Sequence, residues 1–145
     1  MTPKKIIALL FALLFGGLLG FALSTTLSHN ADQQREAFVQ QAQTIIKALQ
    51  NYRQALGHFP AGDASKMMAA LSGKQNTNPS APKILLITEF QFKKNDQGQA
   101  LDPWNTPLQI FLAGENVLIR SAGPNRSFED SSDPKSDDLI VSDAQ

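Results

Sequence analysis

Hydrophobic and polar positions divide the chain into three regimes. Ile6–Leu23 (IIALLFALLFGGLLGFAL) is an 18-residue run without a charge. Helical residues advance about 1.5 Å each, so such a run is just long enough to cross a bilayer core of about 30 Å. From Phe38 the apolar residues recur at steps of three and four: Phe38, Ala42, Ile45, Ile46, Leu49, Tyr52 and Leu56. Gln33, Gln34, Gln40, Gln41, Lys47 and Arg53 fall largely on the other side, which predicts an amphipathic helix over about 32–56. Asp32 is a start signal, Gly57 and Pro60 are stop signals, and the helix can continue upstream into the apolar run. One apolar stripe buries one face only, so this helix needs a sheet or a partner to lie against.

The pattern then shortens. Gly57–Gly62 is a turn with Phe59 as its apolar plug, and Asp63 caps a short helix, Ala64–Leu71, that faces Met67, Met68 and Leu71 inward and ends at Gly73. Gly73–Pro82 reads as a polar surface loop, and Ile84–Phe92 (ILLITEFQF) as an extended or strand segment. After Leu101-Asp102-Pro103-Trp104-Asn105-Thr106-Pro107, two strands are predicted, Leu108–Leu112 and Asn116–Ser121, joined by a short loop containing Gly114. Leu139–Ser142 is a third, short strand. A long helix, an irregular middle and then antiparallel strands predict an α+β layer arrangement, the helix covering one face of a small sheet.

Composition and charge set the surroundings. One globular domain is expected over 31–145, preceded in 1–30 by a basic end, a membrane anchor and a short linker. Lys4 and Lys5 precede the apolar run, whereas His29, Asp32, Arg35 and Glu36 follow it without excess positive charge. The positive-inside bias therefore puts the N-terminus in the cytoplasm and the rest of the chain across the membrane. Ala22-Leu23-Ser24 offers small residues for signal cleavage, but the run exceeds the usual apolar core of a signal peptide, so an uncleaved anchor is favoured. Gly16 and Gly20 read as small residues of a spanning helix. Lys plus Arg and Asp plus Glu number 13 each, which gives no electrostatic case for nucleic acid. Without cysteine there is no disulfide, zinc–thiolate site or thiol nucleophile.

The charge is uneven, however. Five carboxylates fall between Glu129 and Asp138, just ahead of the last predicted strand. Calcium takes six to eight oxygens from carboxylates and backbone carbonyls, and a turning loop can aim several of them inward. Asn125, Glu129, Asp130, Asp133, Asp137 and Asp138 offer such oxygens. The EF-hand spacing is missing, so composition alone favours a solvated, partly disordered acidic loop.

The order of motifs resembles the pilin-like fold, and in detail the major pseudopilins of type II secretion. Residues carrying the resemblance run from Ala37 to Ser142: the helix ending Ala48-Leu49-Gln50-Asn51-Tyr52, then Gly57 and Phe59-Pro60. Leu101-Asp102-Pro103-Trp104-Asn105-Thr106-Pro107-Leu108-Gln109-Ile110 is similar to the family's D-P-W-G-N-P-Y-x-Y turn and strand, and Ile119–Asn125 to its S-x-G-x-D approach to an acidic loop. The resemblance implies a structural calcium ion in that loop. It places Asn125 where the family often has Asp, Asp137 and Asp138 at the closing acids, and the Ser121 carbonyl as a further ligand, with Glu129, Asp130 and Asp133 as lesser candidates. The ion would pin the last strand to the sheet.

The N-terminus departs from the family. Gly20-Phe21-Ala22-Leu23 mimics the start of the G-F-T-L-x-E processing site, but Ser24-Thr25 replaces the final pair, and the apolar run precedes the site instead of following it. In the family that glutamate supports docking of subunits in the filament.

Trp104, between two prolines, is expected in the core, with Asp102 capping the turn it starts. His29 and His58 have no catalytic partner pattern nearby, and the acids crowd one loop instead of flanking a cleft, so enzyme chemistry is not expected. The resulting expectation is a non-enzymatic, pseudopilin-like subunit. It would be single-pass in a bacterial inner membrane with its domain in the periplasm or outside, and its partners would be the membrane, secretion-machine proteins and other copies of itself. The alternative is a monomeric exported binding module that reuses the fold.

Overall fold

A computed structural model describes residues 3–74, 92–130 and 132–144, with side chains from residue 30 onward. The expected anchor side chains of Ile6–Leu23 therefore lie outside the described residues, as do most of the Gly73–Pro82 loop and all of the Ile84–Phe92 segment except Phe92. Among the described residues no helix is long and apolar enough to cross a membrane. The chain divides into two compact units, Met1–Gln34 and Arg35–Gln145.

Helix α1 spans Pro3–Leu56, so Asp32 lies within it instead of capping its start. The polar residues 25–31 contain neither glycine nor proline, and nothing local interrupts the helical ladder there. Downstream, the helix buries Phe38, Ala42, Ile45, Ile46, Ala48 and Leu49. Tyr52 is only partly buried and Leu56 is exposed, so the covered stripe ends earlier than the periodicity suggests. Termination is by Gly57, whose φ of 81° lies in the left-handed region and whose N–H reaches back to the Arg53 carbonyl at 2.7 Å.

Helix α2, Ala64–Leu71, starts where Asp63 accepts the Lys66 N–H at 2.9 Å. Its inner face presents Met67, Met68, Ala70 and Leu71. Strands β1 (Gln109–Ala113), β2 (Asn116–Ser121) and β3 (Leu139–Ser142) form an antiparallel sheet in the order β1-β2-β3. The hairpin is as predicted, with β1 shifted by one residue and Gly114 at a φ of 62° in the turn.

Register sorts the sheet's side chains. Ile110, Ile119 and Val141 form one rung, and Leu112 pairs with Val117. These residues join the core with Phe38, Ile45, Leu49, Met68, Leu71, Trp104 and Leu108. Each large apolar side chain removed from water contributes about 1.5–3 kcal/mol, so this helix–sheet layer supplies most of the fold's driving force. The opposite face carries Phe111 and Leu118 on one rung and Gln109, Arg120 and Ile140 on another.

The turn before β1 is built on Asp102, which is buried. Its Oδ1 accepts the N–H groups of Trp104 (2.9 Å) and Thr106 (2.8 Å), and its Oδ2 accepts the Ser121 hydroxyl at 2.6 Å. A carboxylate with three short donors holds the Asp-Pro-Trp turn against the end of β2 and seats Trp104 in the core. A second tie lies at the other end of the sheet. Asp143 accepts the Val117 N–H at 2.7 Å and a hydrogen bond from Gln50 of α1. Gln50 also donates to the Glu115 carbonyl at 2.8 Å, and Arg53 pairs with the Glu115 carboxylate.

Candidate metal centre in the acidic loop

Between β2 and β3 the chain runs through residues 122–138 and returns beside its starting point. Gly123, with a φ of 65°, makes the return possible: a Cβ there would overlap the backbone carbonyl of Asp137. The Gly123 N–H is held by the Ser121 hydroxyl at 3.1 Å, and the Arg126 N–H closes a turn on the Gly123 carbonyl. This close approach puts Asp137 and Asp138, which lead into β3, against the start of the loop.

Asn125 organises the interior. Its backbone N–H donates to Asp137 Oδ2 at 3.1 Å, and its side-chain amide donates to Glu129 Oε1. Its own side-chain oxygen is taken by the Ser127 N–H at 2.7 Å. The second oxygen of Glu129 accepts the Asp137 N–H at 3.1 Å. One carboxylate oxygen from each of Glu129, Asp137 and Asp138 lies within 4.8 Å of the others. Oxygens bound to one calcium ion at about 2.3–2.6 Å stand at most about 5 Å apart, so this spacing suits a single ion.

The Asp138 side chain is only 3% exposed. Its Oδ2 accepts Arg120 Nε at 2.7 Å, Arg120 Nη2 and the Glu129 N–H at 3.2 Å. The guanidinium also donates to the Glu129 carbonyl and stacks on the Phe128 ring, 5.4 Å from its centroid. By contrast, Asp137 Oδ1 and Asp138 Oδ1 are buried and meet no donor among the described residues. Buried carboxylate oxygens without a partner are costly, and two in one three-acid cluster are the donor set that a hard cation satisfies. The residues fit calcium on this count.

The sequence-derived candidates separate accordingly. Asp137, Asp138 and the lesser candidate Glu129 come together. Asn125 touches both Glu129 and Asp137 through hydrogen bonds, with its carbonyl oxygen occupied. Ser121 sits in β2 opposite Leu139 with its hydroxyl on Asp102. Asp130 and Asp133 face other tasks: Asp130 Oδ1 accepts the Ser132 N–H and hydroxyl, and Asp133 Oδ1 accepts the Lys135 N–H. The two hydrogen bonds from Ser132, backbone first, lower the Asp130 pKa below the usual carboxylate range, and Arg120 adds a smaller pull. Arg120 was not among the candidates. A lone cation in an otherwise uncharged strand, just ahead of the acidic loop, was the available signal.

A groove also runs between α1 and the 92–105 segment, lined by Gln40, Gln41, Thr44, Lys93, Leu101 and Asn105. Gln41 crosses it to the Leu101 carbonyl at 2.8 Å, and Lys93 reaches the Asn105 side chain. No protein-family model, curated protein or solved structure matches the chain.

Proposed function

We propose that the chain is a non-enzymatic, pseudopilin-like structural subunit of a type II secretion or type IV pilus-like envelope assembly. Its N-terminal apolar run anchors it in the inner membrane, and residues 31–145 form the exported head. The observation that carries this reading is the strand–acidic loop–strand unit, in which Gly123 brings Glu129, Asp137 and Asp138 together immediately before β3. The Asp102-Pro103-Trp104 turn, packed between α1 and the hairpin, supports it.

In this reading the loop holds a structural calcium ion through Glu129, Asp137 and Asp138, and the ion supplies the positive charge that Arg120 alone does not. The protein's own part is to position the oxygens. Gly123 sets the loop's return, Asn125 aligns two acids, and β3 carries the closing pair into the sheet. Calorimetric titration with calcium is expected to show one site that Asp137→Asn weakens, and absence of binding removes the ion from the proposal.

Assembly is tested separately by crosslinking in native membranes. A ladder of self-crosslinked species, or adducts with pilin-like proteins, is the expected result. Monomer alone favours the second reading, a monomeric exported binding module. That reading has its own support in Ser24-Thr25, which stand where the resembled family carries the glutamate used in subunit docking. An N-terminus cleaved after Ala22-Leu23-Ser24 would favour release from the membrane over anchoring.

A further inference from the structure

We infer that Arg120 is the resident cation of the acidic loop and biases the loop towards a divalent over a trivalent ion. The inference rests on the calcium reading above and extends it to a residue outside the ligand set. One oxygen from each of three carboxylates, Glu129, Asp137 and Asp138, lies within 4.8 Å of the others, and one guanidinium is bound directly to Asp138, whose side chain is buried. The three converging carboxylates and this guanidinium together carry two negative charges. A divalent cation neutralises the cluster, a monovalent ion leaves it charged, and a trivalent ion overshoots it.

Geometry makes Arg120 a fixed part of the site. It emerges from the middle strand of the sheet, between Gln109 and Ile140, so the backbone anchors it on both sides. Its Nε and Nη2 both bind Asp138 Oδ2, Nη2 also binds the Glu129 carbonyl, and Phe128 covers the guanidinium plane. Guanidinium stays protonated throughout the range where proteins are handled, so this charge does not titrate away. It engages one oxygen of Asp138 and leaves Oδ1 of Asp137 and Oδ1 of Asp138 without donors. The arginine is thus a positioning and charge-setting residue: it holds the loop from the sheet side and leaves the remaining oxygens to the ion.

The consequence is a charge preference separable from affinity. Removing Arg120 takes away repulsion of the ion but also disorders the loop that must be organised to bind it. Both ions bear the same ordering cost, so the ratio of terbium to calcium affinity reports the charge alone. One unit charge a few ångströms from an ion shifts that ratio by roughly tenfold even where the site is nearly as well screened as in water, and by more where it is drier.

The test uses the full chain in detergent and calorimetric titration with Ca2+ and Tb3+ for wild type, Arg120→Gln and Arg120→Lys. Glutamine keeps a hydrogen-bond donor towards Asp138 without the charge, and lysine keeps the charge. The Tb3+/Ca2+ affinity ratio is expected to rise roughly tenfold or more in Arg120→Gln and to stay at the wild-type value in Arg120→Lys. An unchanged ratio in Arg120→Gln, with both ions still bound, overturns this inference and leaves the calcium site standing. Failure of every protein to bind either ion overturns the calcium reading and the inference with it. Should Arg120→Gln not fold, Asp137→Asn keeps the arginine clasp and removes one negative charge. Its ratio is expected to fall, and no fall overturns the inference.

Discussion

The helix–sheet layer and the carboxylate cluster of the otherwise exposed acidic loop are held by opposite means. Between α1 and the sheet, Phe38, Ile45, Leu49, Val117 and Ile119 are fully buried without a polar group among them. Inside the loop the enclosed groups are carboxylates, one guanidinium and backbone N–H donors. Apolar packing is nondirectional and carries no charge, so these buried side chains themselves do not respond to protonation or to ions. The second depends on alignment and charge balance, and each donor lost leaves an enclosed acid without compensation. The contrast teaches that apolar stability and sensitivity to charge can reside in different parts of one small domain.

Breaking the apolar side should have the largest effect. Phe38→Ala removes a fully buried ring and is expected to cost about 3–5 kcal/mol, lowering the urea midpoint of the whole domain. A smaller and more local effect is expected from Gly123→Ala. The left-handed φ and the overlap with the Asp137 carbonyl should cost about 2 kcal/mol. Hydrogen exchange should then accelerate in residues 123–138 while α1 stays protected, and equal acceleration in both regions would refute the separation. Asp63→Ala, which removes the cap of α2, should cost about 1 kcal/mol by denaturation and leave exchange in the loop untouched.

The smallest effect concerns acid. Asp130 is fully exposed and its pKa lies below its ordinary value because of the Ser132 hydrogen bonds. A group depressed in the folded state contributes stability above its unfolded pKa, about 3.9, and loses it as pH falls through the lower folded value. The stability gap between wild type and Asp130→Ala should therefore narrow as the solution is acidified below about pH 4. A gap that widens there would contradict the assignment.

Much of the fold was legible because its signals are local. The 3.6-residue period from Phe38 to Leu49, the Asp63 cap and the Gly114 hairpin each depend on a few neighbouring residues, and each element formed close to its expected place. The end of the buried stripe was less legible, since the exposure of Leu56 depends on what the sheet covers. In the loop, composition marked a run of acids without separating them, and only the resemblance to pseudopilins singled out Asp137 and Asp138. The role of Glu129 instead depends on Asn125 and on Gly123 folding the chain back, and Arg120 reaches its partners across strand register. Neither relation is periodic, so neither leaves a pattern along the sequence.

The ties between α1 and the C-terminal residues bear on how the chain acquires its structure. Gln50 meets Asp143, and Phe38 to Leu49 share a core with Trp104, Leu108, Val117 and Ile119. During N-to-C synthesis the helix is complete long before its covering strands exist, and its apolar stripe stays wet for the interval. Contacts so distant in sequence close slowly, and chains waiting on them are prone to aggregate. A holdase that shields residues 38–49 until the hairpin emerges should therefore raise the folded yield more than one acting on the finished chain.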